Sequence, residues 1–197
     1  MPDTLPTAVV TGASRGFGRA IAAAFVAAGH DVIGIARGEH DLRAVHAELG
    51  DAFTPIVGDA TDEALARAVL HDHRPDLLVL NAGATPHMAP IHEQTWDTFS
   101  GNWRSDTRHV FTWIRAALRE PLAPGSAVIA MSSGAALAGS PLSGGYASAK
   151  AAVRYLRGYA ADEAEQAGLD LRFVALLPQL TPAGGVGAGE GLDVGVE

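Results

Sequence analysis

Cysteine is absent from the 197 residues of this chain, and an excess of basic residues is absent as well. Without cysteine no disulfide scaffold can form, so the fold must depend on a hydrophobic core. The 14 Lys and Arg residues against 22 Asp and Glu residues give a formal charge of −8. A protein that binds nucleic acid along its surface needs the opposite sign. A general nucleic-acid binder is therefore disfavoured, and any anion must be bound by a local arrangement.

Long hydrophobic runs are also missing. A membrane-spanning helix requires about 20 consecutive, mostly apolar residues, and no segment approaches this, although 48% of the residues are hydrophobic. Residues 1–6 contain neither the basic segment nor the apolar run of a secretory signal. We expect a cytoplasmic protein that contacts no membrane. The lack of cysteine agrees with this location without requiring it, because a secreted protein can also lack disulfides.

What the sequence does contain is an alternation of short apolar runs with alanine-rich helical patterns. This alternation is typical of βαβ units, and strands that are apolar at consecutive positions indicate a parallel sheet with helices on both faces. The predicted strands span 8–11, 31–36, 54–57, 77–81, 127–132 and 171–177, and the predicted helices span 17–28, 40–49, 62–71, 103–120 and 146–166. Residues 1–182 are interpreted as one α/β domain, and the glycine-rich residues 183–197 as a flexible tail.

A glycine-rich turn at 11–18, of sequence TGASRGFG, follows the first predicted strand and opens the first helix. Its glycines let the backbone turn tightly, approach a pyrophosphate closely and pack the helix against the sheet. The start of the helix offers a phosphate unpaired N–H groups. The predicted dinucleotide contacts are Gly12, Ser14, Arg15, Gly16, Phe17 and Gly18. The alternative is a tight strand-to-helix turn without a ligand.

The end of the second predicted strand indicates which dinucleotide binds. Sites for NAD(H) normally place a carboxylate there for the ribose hydroxyl, whereas this chain has Arg37, with Arg15 already in the glycine turn. Two guanidinium groups match the geometry of a 2′-phosphate, so NADP(H) is favoured over NAD(H). The alternative is that Arg37 is solvated and Glu39 or Asp41 approaches the ribose. Asp59, after the third strand, is expected to reach the adenine, although a helix-capping aspartate would look similar.

Tyr146 and Lys150 lie four residues apart in the sequence YASAK, so a helix places both on one face. Ser133 follows the fifth predicted strand, and the sequence NAG at 81–83 follows the fourth. Together with the glycine turn and Asp59, these residues resemble the short-chain dehydrogenase/reductase family, in its shorter single-domain branch. The resemblance extends over about residues 7–178.

This resemblance implies a Rossmann-like doubly wound sheet of about six strands in the order 3-2-1-4-5-6 and an NAD(P)-dependent oxidoreductase. It implies that Tyr146 is the general acid and base and that Lys150 holds the nicotinamide ribose and activates the tyrosine. Ser133 would orient the carbonyl group, and Asn102 would support a chain of water molecules. The further cofactor contacts that it implies are Asp59, Ala60, Asn81, Ala82, Gly83, Tyr146, Lys150, Pro178 and Thr181.

The tyrosine and lysine can also be interpreted without the family. A phenol titrates near pH 10, so it needs help to exchange a proton with an alcohol or carbonyl oxygen near neutral pH. An ammonium about 5 Å away contributes roughly 3 kcal/mol at an effective dielectric constant near 20. Lys150 lies one helical turn from Tyr146 and fits this role. A Tyr and a Lys at this spacing also occur by chance, Ser133 fits an ordinary turn, and Asn102 fits a helix cap before Trp103.

Loop residues near the predicted site are the candidates for substrate contacts. His87 and Met88 follow the NAG sequence, and Leu137 and Leu142 lie between the predicted catalytic serine and tyrosine. These side chains indicate a small-molecule substrate that is partly apolar, although they also fit simple loop packing. No metal is expected, because the sequence HDH at 71–73 is interpreted as the end of a surface helix.

The predicted helix 103–120 carries an apolar stripe with arginines on another face, whereas the predicted helix 146–166 is apolar nearly all round, which indicates neighbours on several sides. In the resembled family these two helices form a four-helix interface between subunits, so a homodimer or homotetramer is expected. A row of arginines on 103–120 is expected either to meet Asp162, Glu163 or Glu165 across that interface or to remain solvated.

The end of the chain departs from the resembled family, whose members usually continue with a Pro-Gly turn, a substrate loop, a helix and a closing strand. Here Gln179 follows Pro178, Thr181 is expected to reach the nicotinamide carboxamide, and no lid or closing strand is predicted after 183. The leading hypothesis is an NADPH-dependent reductase of ketones, aldehydes or 3-oxoacyl compounds. The alternatives are a non-catalytic NADP(H)-binding sensor or scaffold and, disfavoured by the glycine spacing and the chain length, an epimerase or dehydratase.

Overall fold

The predicted alternation of strands and helices is present in the computed structural model, which describes residues 5–179 and 194–196. The strands are β1 (Thr7–Thr11), β2 (Asp31–Ala36), β3 (Phe53–Val57), β4 (Leu77–Leu80), β5 (Ala127–Met131), β6 (Arg172–Pro178) and β7 (Val194–Val196). The helices are α1 (Gly16–Ala27), α2 (Glu39–Leu49), α3 (Glu63–His73), α4 (Trp96–Phe99), α5 (Arg108–Arg119), α6 (Ala135–Ala138) and α7 (Gly144–Gln166). In the described part of the chain, no helix combines the length and the apolar character needed to span a membrane.

The strands form one sheet in the order β3-β2-β1-β4-β5-β6-β7, in which the first six are parallel and β7 is antiparallel. The predicted doubly wound order 3-2-1-4-5-6 is thereby confirmed. In the middle of the sheet, Val9 of β1 lies opposite Ile33 of β2 and Leu78 of β4. The strand order reverses at β1, so the loops after β1 and β4 diverge and leave a crevice at the carboxyl edge of the sheet.

The last strand is a correction to the sequence analysis, which predicted about six strands and no closing strand after residue 183. Val194–Val196 pairs with residues 176–178 of β6, so the sheet has seven strands. A Val-Gly-Val sequence is too short to predict a strand by itself, but the open edge of β6 supplies its backbone hydrogen bonds. Thr181 and residues 183–193 of the predicted tail lie outside the described residues.

Two hydrophobic clusters cover the two faces of the sheet. On one face, Ile35 and Leu80 pack in the same cluster as Trp113 of α5. On the other face, Phe53 packs in one cluster with Leu42 of α2. Each of these side chains is at most 1% exposed, and burying one of this size contributes about 1.5–3 kcal/mol. The layered core therefore holds the carboxyl ends of the strands in a fixed arrangement.

The helix predicted over 103–120 is divided in the structure, because Trp103–Thr107 forms a π-helical turn before α5 begins. Two arginines of the predicted row have carboxylate partners within the chain. The Arg104 guanidinium lies 2.8 Å from Asp97, and that of Arg115 lies 2.7 Å from Glu63. Both ion pairs are exposed, so these two arginines lie on a solvated face of the chain.

Candidate active site

The glycine turn between β1 and α1 has the shape of a phosphate cradle. Gly12 and Gly16 have φ angles of +70° and +55°, a conformation that residues with a Cβ rarely adopt. A Cβ at Gly18 would lie only 2.1 Å from the carbonyl oxygen of Gly12, so the start of α1 sits directly against the turn. The N–H groups at this helix start are consequently available to an anion in the crevice.

A cleft of about 560 Å³ opens beside this turn, within the range of about 300–1,000 Å³ that is usual for ligand sites. The predicted cofactor residues that line it are Gly12, Ser14, Arg15, Gly16, Arg37, Asp59, Ala60, Asn81, Ala82 and Gly83. Lining residues that were not predicted as contacts include Arg104, Ser105 and His109. The predicted contacts Phe17, Gly18, Tyr146, Lys150 and Pro178 do not line this cleft.

The hydroxyl group of Thr11 joins the glycine turn to the turn after β4. It accepts hydrogen bonds from the N–H groups of Asn81 at 2.9 Å and Ala82 at 3.2 Å. The side-chain amide of Asn81 in turn donates to the carbonyl oxygen of Thr11 at 3.1 Å and more weakly to that of Gly12. The NAG sequence therefore stabilises the cradle from the far side of the cleft. Thr11 is a site residue that the sequence analysis did not name.

His109 of α5 is buried at the wall of the cleft, with Nε2 3.0 Å from the Thr11 hydroxyl. Burial lowers the pKa of His109 to about 4, and the nearby positive charge of Lys150 acts in the same direction. The imidazole is therefore neutral at pH 7. A single histidine in an amphipathic helix gives no signal in the sequence that distinguishes it from an exposed one, so it was not predicted.

We expect the free energy of unfolding to rise by about 3 kcal/mol from pH 4 to pH 7 because of His109. The unfolded chain protonates this imidazole below its ordinary pKa of 6.5, whereas the folded protein protonates it only below about 4. In this window the unfolded state binds more protons, so the contribution is complete above the unfolded pKa and is lost as the pH falls. Urea denaturation at a series of pH values measures the effect. The variant His109→Gln should give a flatter profile, and an equally steep profile would rule out His109 as the cause.

Asp59 lies in the cleft beyond β3 and is held in its ionised form. Thr61 donates to one Asp59 oxygen through both its N–H and its hydroxyl group, each at 2.8 Å. The N–H hydrogen bond is the main cause of a lowered pKa of Asp59, and the charge of Arg37 adds to it. The residue that caps α3 is Asp62. The alternative interpretation of Asp59 as the helix cap is therefore wrong.

Tyr146 and Lys150 lie one turn apart near the start of α7. The Nζ atom of Lys150 is 5.8 Å from the centroid of the Tyr146 ring. The lysine is only 7% exposed. Its ammonium donates to the carbonyl oxygen of Met131 at 2.9 Å and lies 3.1 Å from a carboxylate oxygen of Asp106. A fixed, buried positive charge therefore stands beside a phenol that remains partly exposed.

The other two predicted catalytic residues lie on neighbouring elements. Ser133 follows β5, and its hydroxyl group accepts a hydrogen bond from the N–H of Ala135 at 3.2 Å. Asn102 is 4% exposed, and its side-chain amide donates to the carbonyl oxygen of Ala84 at 2.9 Å. Asn102 makes no helix-capping bond, so the capping interpretation is wrong. It instead ties the helical turn before α5 to the segment after β4.

The predicted substrate residues lie on the loops after β4 and β5. Met88, Leu137 and Leu142 are 57%, 57% and 54% exposed, and His87 is exposed as well. The N–H of Ala89 donates to the carbonyl oxygen of Leu142 at 2.8 Å, which joins the two loops. These side chains do not line the glycine cleft. They provide an exposed, largely apolar surface at the same edge of the sheet.

The sequence HDH at 71–73 ends helix α3. The ring of His71 lies 3.9 Å from the carboxylate of Glu120, and both side chains are exposed. Within the residues that the structure describes, no group of three or more His, Cys, Asp and Glu side chains is placed to hold a metal ion.

Comparison with known proteins places this fold and cleft in a family. The family model for short chain dehydrogenase matches residues 6–185, nearly the whole chain. The chain belongs to the short-chain dehydrogenase family.

One relative of this short-chain dehydrogenase is a protein of Dichelobacter nodosus named "Probable NADP-dependent dehydrogenase". The two sequences are 46% identical over 90 residues, which make up 43% of this chain and 85% of that protein. An Arabidopsis thaliana protein named NADPH-dependent pterin aldehyde reductase is 28% identical over 76% of this chain and 65% of its own length. The crystal structure of a short-chain dehydrogenase from Streptomyces avermitilis is similar with a TM-score of 0.75 and 31% identity, over 87% of this chain and 64% of that one. The chain thus matches about two thirds of the length of the last two relatives.

Proposed function

We propose that this short-chain dehydrogenase uses NADPH to reduce a ketone, an aldehyde or a 3-oxoacyl compound to an alcohol. The observation that carries the proposal is the buried ammonium of Lys150 beside the partly exposed ring of Tyr146. In a doubly wound sheet, ligands bind at the carboxyl edge where these residues and the glycine cleft lie. The relative named as a pterin aldehyde reductase supports a carbonyl substrate.

The residues of the cleft fit a dinucleotide. The glycines let the turn pack closely against its neighbours, because a Cβ at Gly12 would lie 3.0 Å from Asn81 and Ala82 and one at Gly18 would lie 2.1 Å from the carbonyl oxygen of Gly12. The unpaired N–H groups at the start of α1 suit the pyrophosphate charge. Asp59 and Ala60 would hold the adenine end, and Pro178 and Thr181 are proposed for the nicotinamide end.

When bound, NADPH supplies a hydride to the carbonyl carbon of the substrate. The residues of the chain act on the carbonyl oxygen, where negative charge develops. Ser133 would donate a hydrogen bond to that oxygen, and the O–H of Tyr146 would give it the proton. The charge of Lys150 stabilises the phenolate that remains. In the direction of alcohol oxidation, the same phenolate accepts the proton from the alcohol.

The choice of NADPH over NADH is proposed from the charges at the β2 end of the cleft. Arg15 and Arg37 both line it, and their guanidinium groups suit a 2′-phosphate. Asp41 lines the same end, so the alternative in which a carboxylate approaches the ribose also has its residue in place. The relative named as an NADP-dependent dehydrogenase favours the arginine interpretation.

We expect Arg37→Ala to weaken NADPH binding by about 10- to 100-fold and NADH binding by much less. The reason is the loss of a charge-assisted hydrogen bond to the 2′-phosphate, a bond of about 1.5–3 kcal/mol. The fluorescence of bound coenzyme measures both dissociation constants. Arg43→Ala is the matched control, because Arg43 pairs with Glu39 on the outer face of α2. Equal losses for the two coenzymes would contradict a 2′-phosphate contact.

A panel of carbonyl compounds tests the proposed reaction. The protein is incubated with NADPH and, in turn, aliphatic and aromatic ketones, aldehydes and a 3-oxoacyl thioester, and the loss of NADPH absorbance is followed. Oxidation of NADPH with formation of the matching alcohol supports the reductase. Tight NADPH binding without turnover of any compound would overturn it in favour of a binding protein of the same fold.

We propose, in addition, that the chain assembles as a homodimer or homotetramer through α5 and α7. The support is a set of large side chains that remain exposed on these helices and on the turn before α5. Tyr155 and Tyr159 of α7 are each 65% exposed, and Phe111 and Trp103 are 48% and 40% exposed. Sedimentation equilibrium measures the mass, and a monomer at micromolar concentration would contradict the proposal.

A further inference from the structure

A buried carboxylate stands behind the proposed catalytic lysine. Asp106 lies in the π-helical turn Trp103–Thr107 and is 1% exposed. A carboxylate at this depth is costly unless its oxygens are paired. Single π turns inside helices are frequent at functional sites, so the contacts of Asp106 are informative about the site.

One oxygen of the Asp106 carboxylate accepts hydrogen bonds, and the other has only an ion-pair contact. One oxygen accepts hydrogen bonds from the N–H of Ala84 at 2.9 Å and from the hydroxyl of Ser105 at 2.7 Å, and the amide of Asn102 lies 3.4 Å away. The other oxygen lies 3.1 Å from the Nζ atom of Lys150. One side chain therefore joins the segment after β4, the predicted catalytic Asn102 and the predicted catalytic lysine.

The backbone opposite Asp106 is shaped to admit it. A Cβ added to Gly83 would lie 2.9 Å from the Asp106 oxygen that faces Lys150. The glycine of the NAG sequence thus leaves room for the carboxylate to approach the segment after β4. The ammonium is held from the other side by the carbonyl oxygen of Met131 at 2.9 Å. Lys150 is consequently fixed between β5 and the π-helical turn.

We propose that Asp106 is a positioning residue of the active site, which holds the ammonium of Lys150 at a fixed position relative to the segment after β4. This role rests on the proposed function of Lys150. A buried ion pair fixes geometry when its other hydrogen bonds are satisfied, and removal of one partner leaves the second charge unpaired. Loss of the carboxylate therefore frees the lysine to leave its place beside Tyr146, whereas the glycine cleft, which Lys150 does not line, keeps its contacts.

The chain offers an unusually direct test, because Lys150 is its single lysine. Protein labelled with lysine carrying ¹⁵N at Nζ gives one side-chain ammonium signal in an NMR spectrum. In the parent protein we expect slow exchange of this ammonium with water, because its ion pair with Asp106 is buried. Rapid exchange in the parent protein would overturn the proposal, and this measurement requires no variant.

The variant Asp106→Asn keeps the shape of the side chain and removes its charge. We expect the exchange of the Lys150 ammonium to accelerate and NADPH affinity to fall, by about tenfold each, because Lys150 loses its charged partner. Glu63→Gln is the matched control and should leave both quantities unchanged, because Glu63 pairs with Arg115 at an exposed position and neither residue lines the glycine cleft. If Asp106 only stabilised the fold, Asp106→Asn would lower the melting temperature and leave the exchange of the Lys150 ammonium as in the parent protein.

The two proposals can fail separately. Slow exchange of the Lys150 ammonium in the parent protein, together with no oxidation of NADPH by any carbonyl compound, would overturn the reductase and leave the position of Lys150 as inferred. If Asp106→Asn kept the parent kcat, the parent NADPH affinity and the parent lysine signal, the positioning role of Asp106 would be wrong. The proposed reductase activity would be unaffected by that result.

Discussion

Tyr146→Phe should reduce kcat for carbonyl reduction by about 10²–10⁴-fold, the range typical for loss of a general acid. The substitution removes one oxygen atom from a partly exposed ring and leaves the buried ammonium of Lys150 in place. Without the phenol, the developing alkoxide must take its proton from water. NADPH affinity should change little, because Tyr146 does not line the glycine cleft. Initial rates on an accepted carbonyl compound, together with NADPH binding by fluorescence, measure the two quantities.

The chain supplies a matched control for this substitution on the same helix. Tyr155 of α7 is 65% exposed and lies two turns beyond Tyr146, so Tyr155→Phe removes the same atom away from the proposed site. It should leave kcat unchanged. If Tyr146→Phe retained the parent kcat, the phenol would not be the proton donor, and the proposed mechanism would be wrong.

Gly18→Ala should abolish NADPH binding and lower the free energy of unfolding by about 3 kcal/mol or more, as expected for severe overpacking. The added Cβ would lie 2.1 Å from the carbonyl oxygen of Gly12 and 2.5 Å from the side-chain amide of Asn81. The first of these is a backbone atom, which can move only with the whole glycine turn. The clash therefore separates α1 from the cradle and breaks the contact between the turns after β1 and β4.

Gly158→Ala provides the contrast within the same chain. Gly158 lies inside α7, and a Cβ at this position meets no atom within 4 Å. Alanine in place of glycine within a helix should raise the free energy of unfolding by about 0.5–1 kcal/mol. Urea denaturation and NADPH titration of both variants separate a steric effect at the cradle from a general effect of adding a methyl group. Normal NADPH binding by Gly18→Ala would show that the cleft is not the coenzyme site.

The sheet was predictable because its strands are buried on both faces, and the resulting apolar runs are visible in the sequence. The strand predicted at 31–36 is the observed β2, and the helix predicted at 17–28 is α1, Gly16–Ala27. The end of the chain was not predictable in this way. Val194–Val196 becomes a strand only because β6 offers an unpaired edge, and no local pattern reports that edge.

The site was predictable where its residues belong to contiguous motifs. The glycine turn, Asp59 and the NAG sequence do line one cleft, since each follows a strand and the carboxyl ends of parallel strands meet at one edge. His109 and Asp106 were missed. His109 contacts Thr11 across 98 residues of sequence, and Asp106 contacts Ala84 across 22. Contacts over such separations depend on how α5 packs against the sheet.

The sequence alone determined the parallel sheet with helices on both faces, the glycine turn after its first strand and the helical spacing of Tyr146 and Lys150. These features arise from local rules, namely burial pattern, backbone freedom at glycine and the period of a helix. Only the tertiary structure decided the antiparallel edge strand, the burial of His109 and the pairing of Lys150 with Asp106. The edge strand, the buried histidine and the ion pair each depend on which residues far apart in the sequence meet in the folded protein. The packing of the helices and strands determines those meetings.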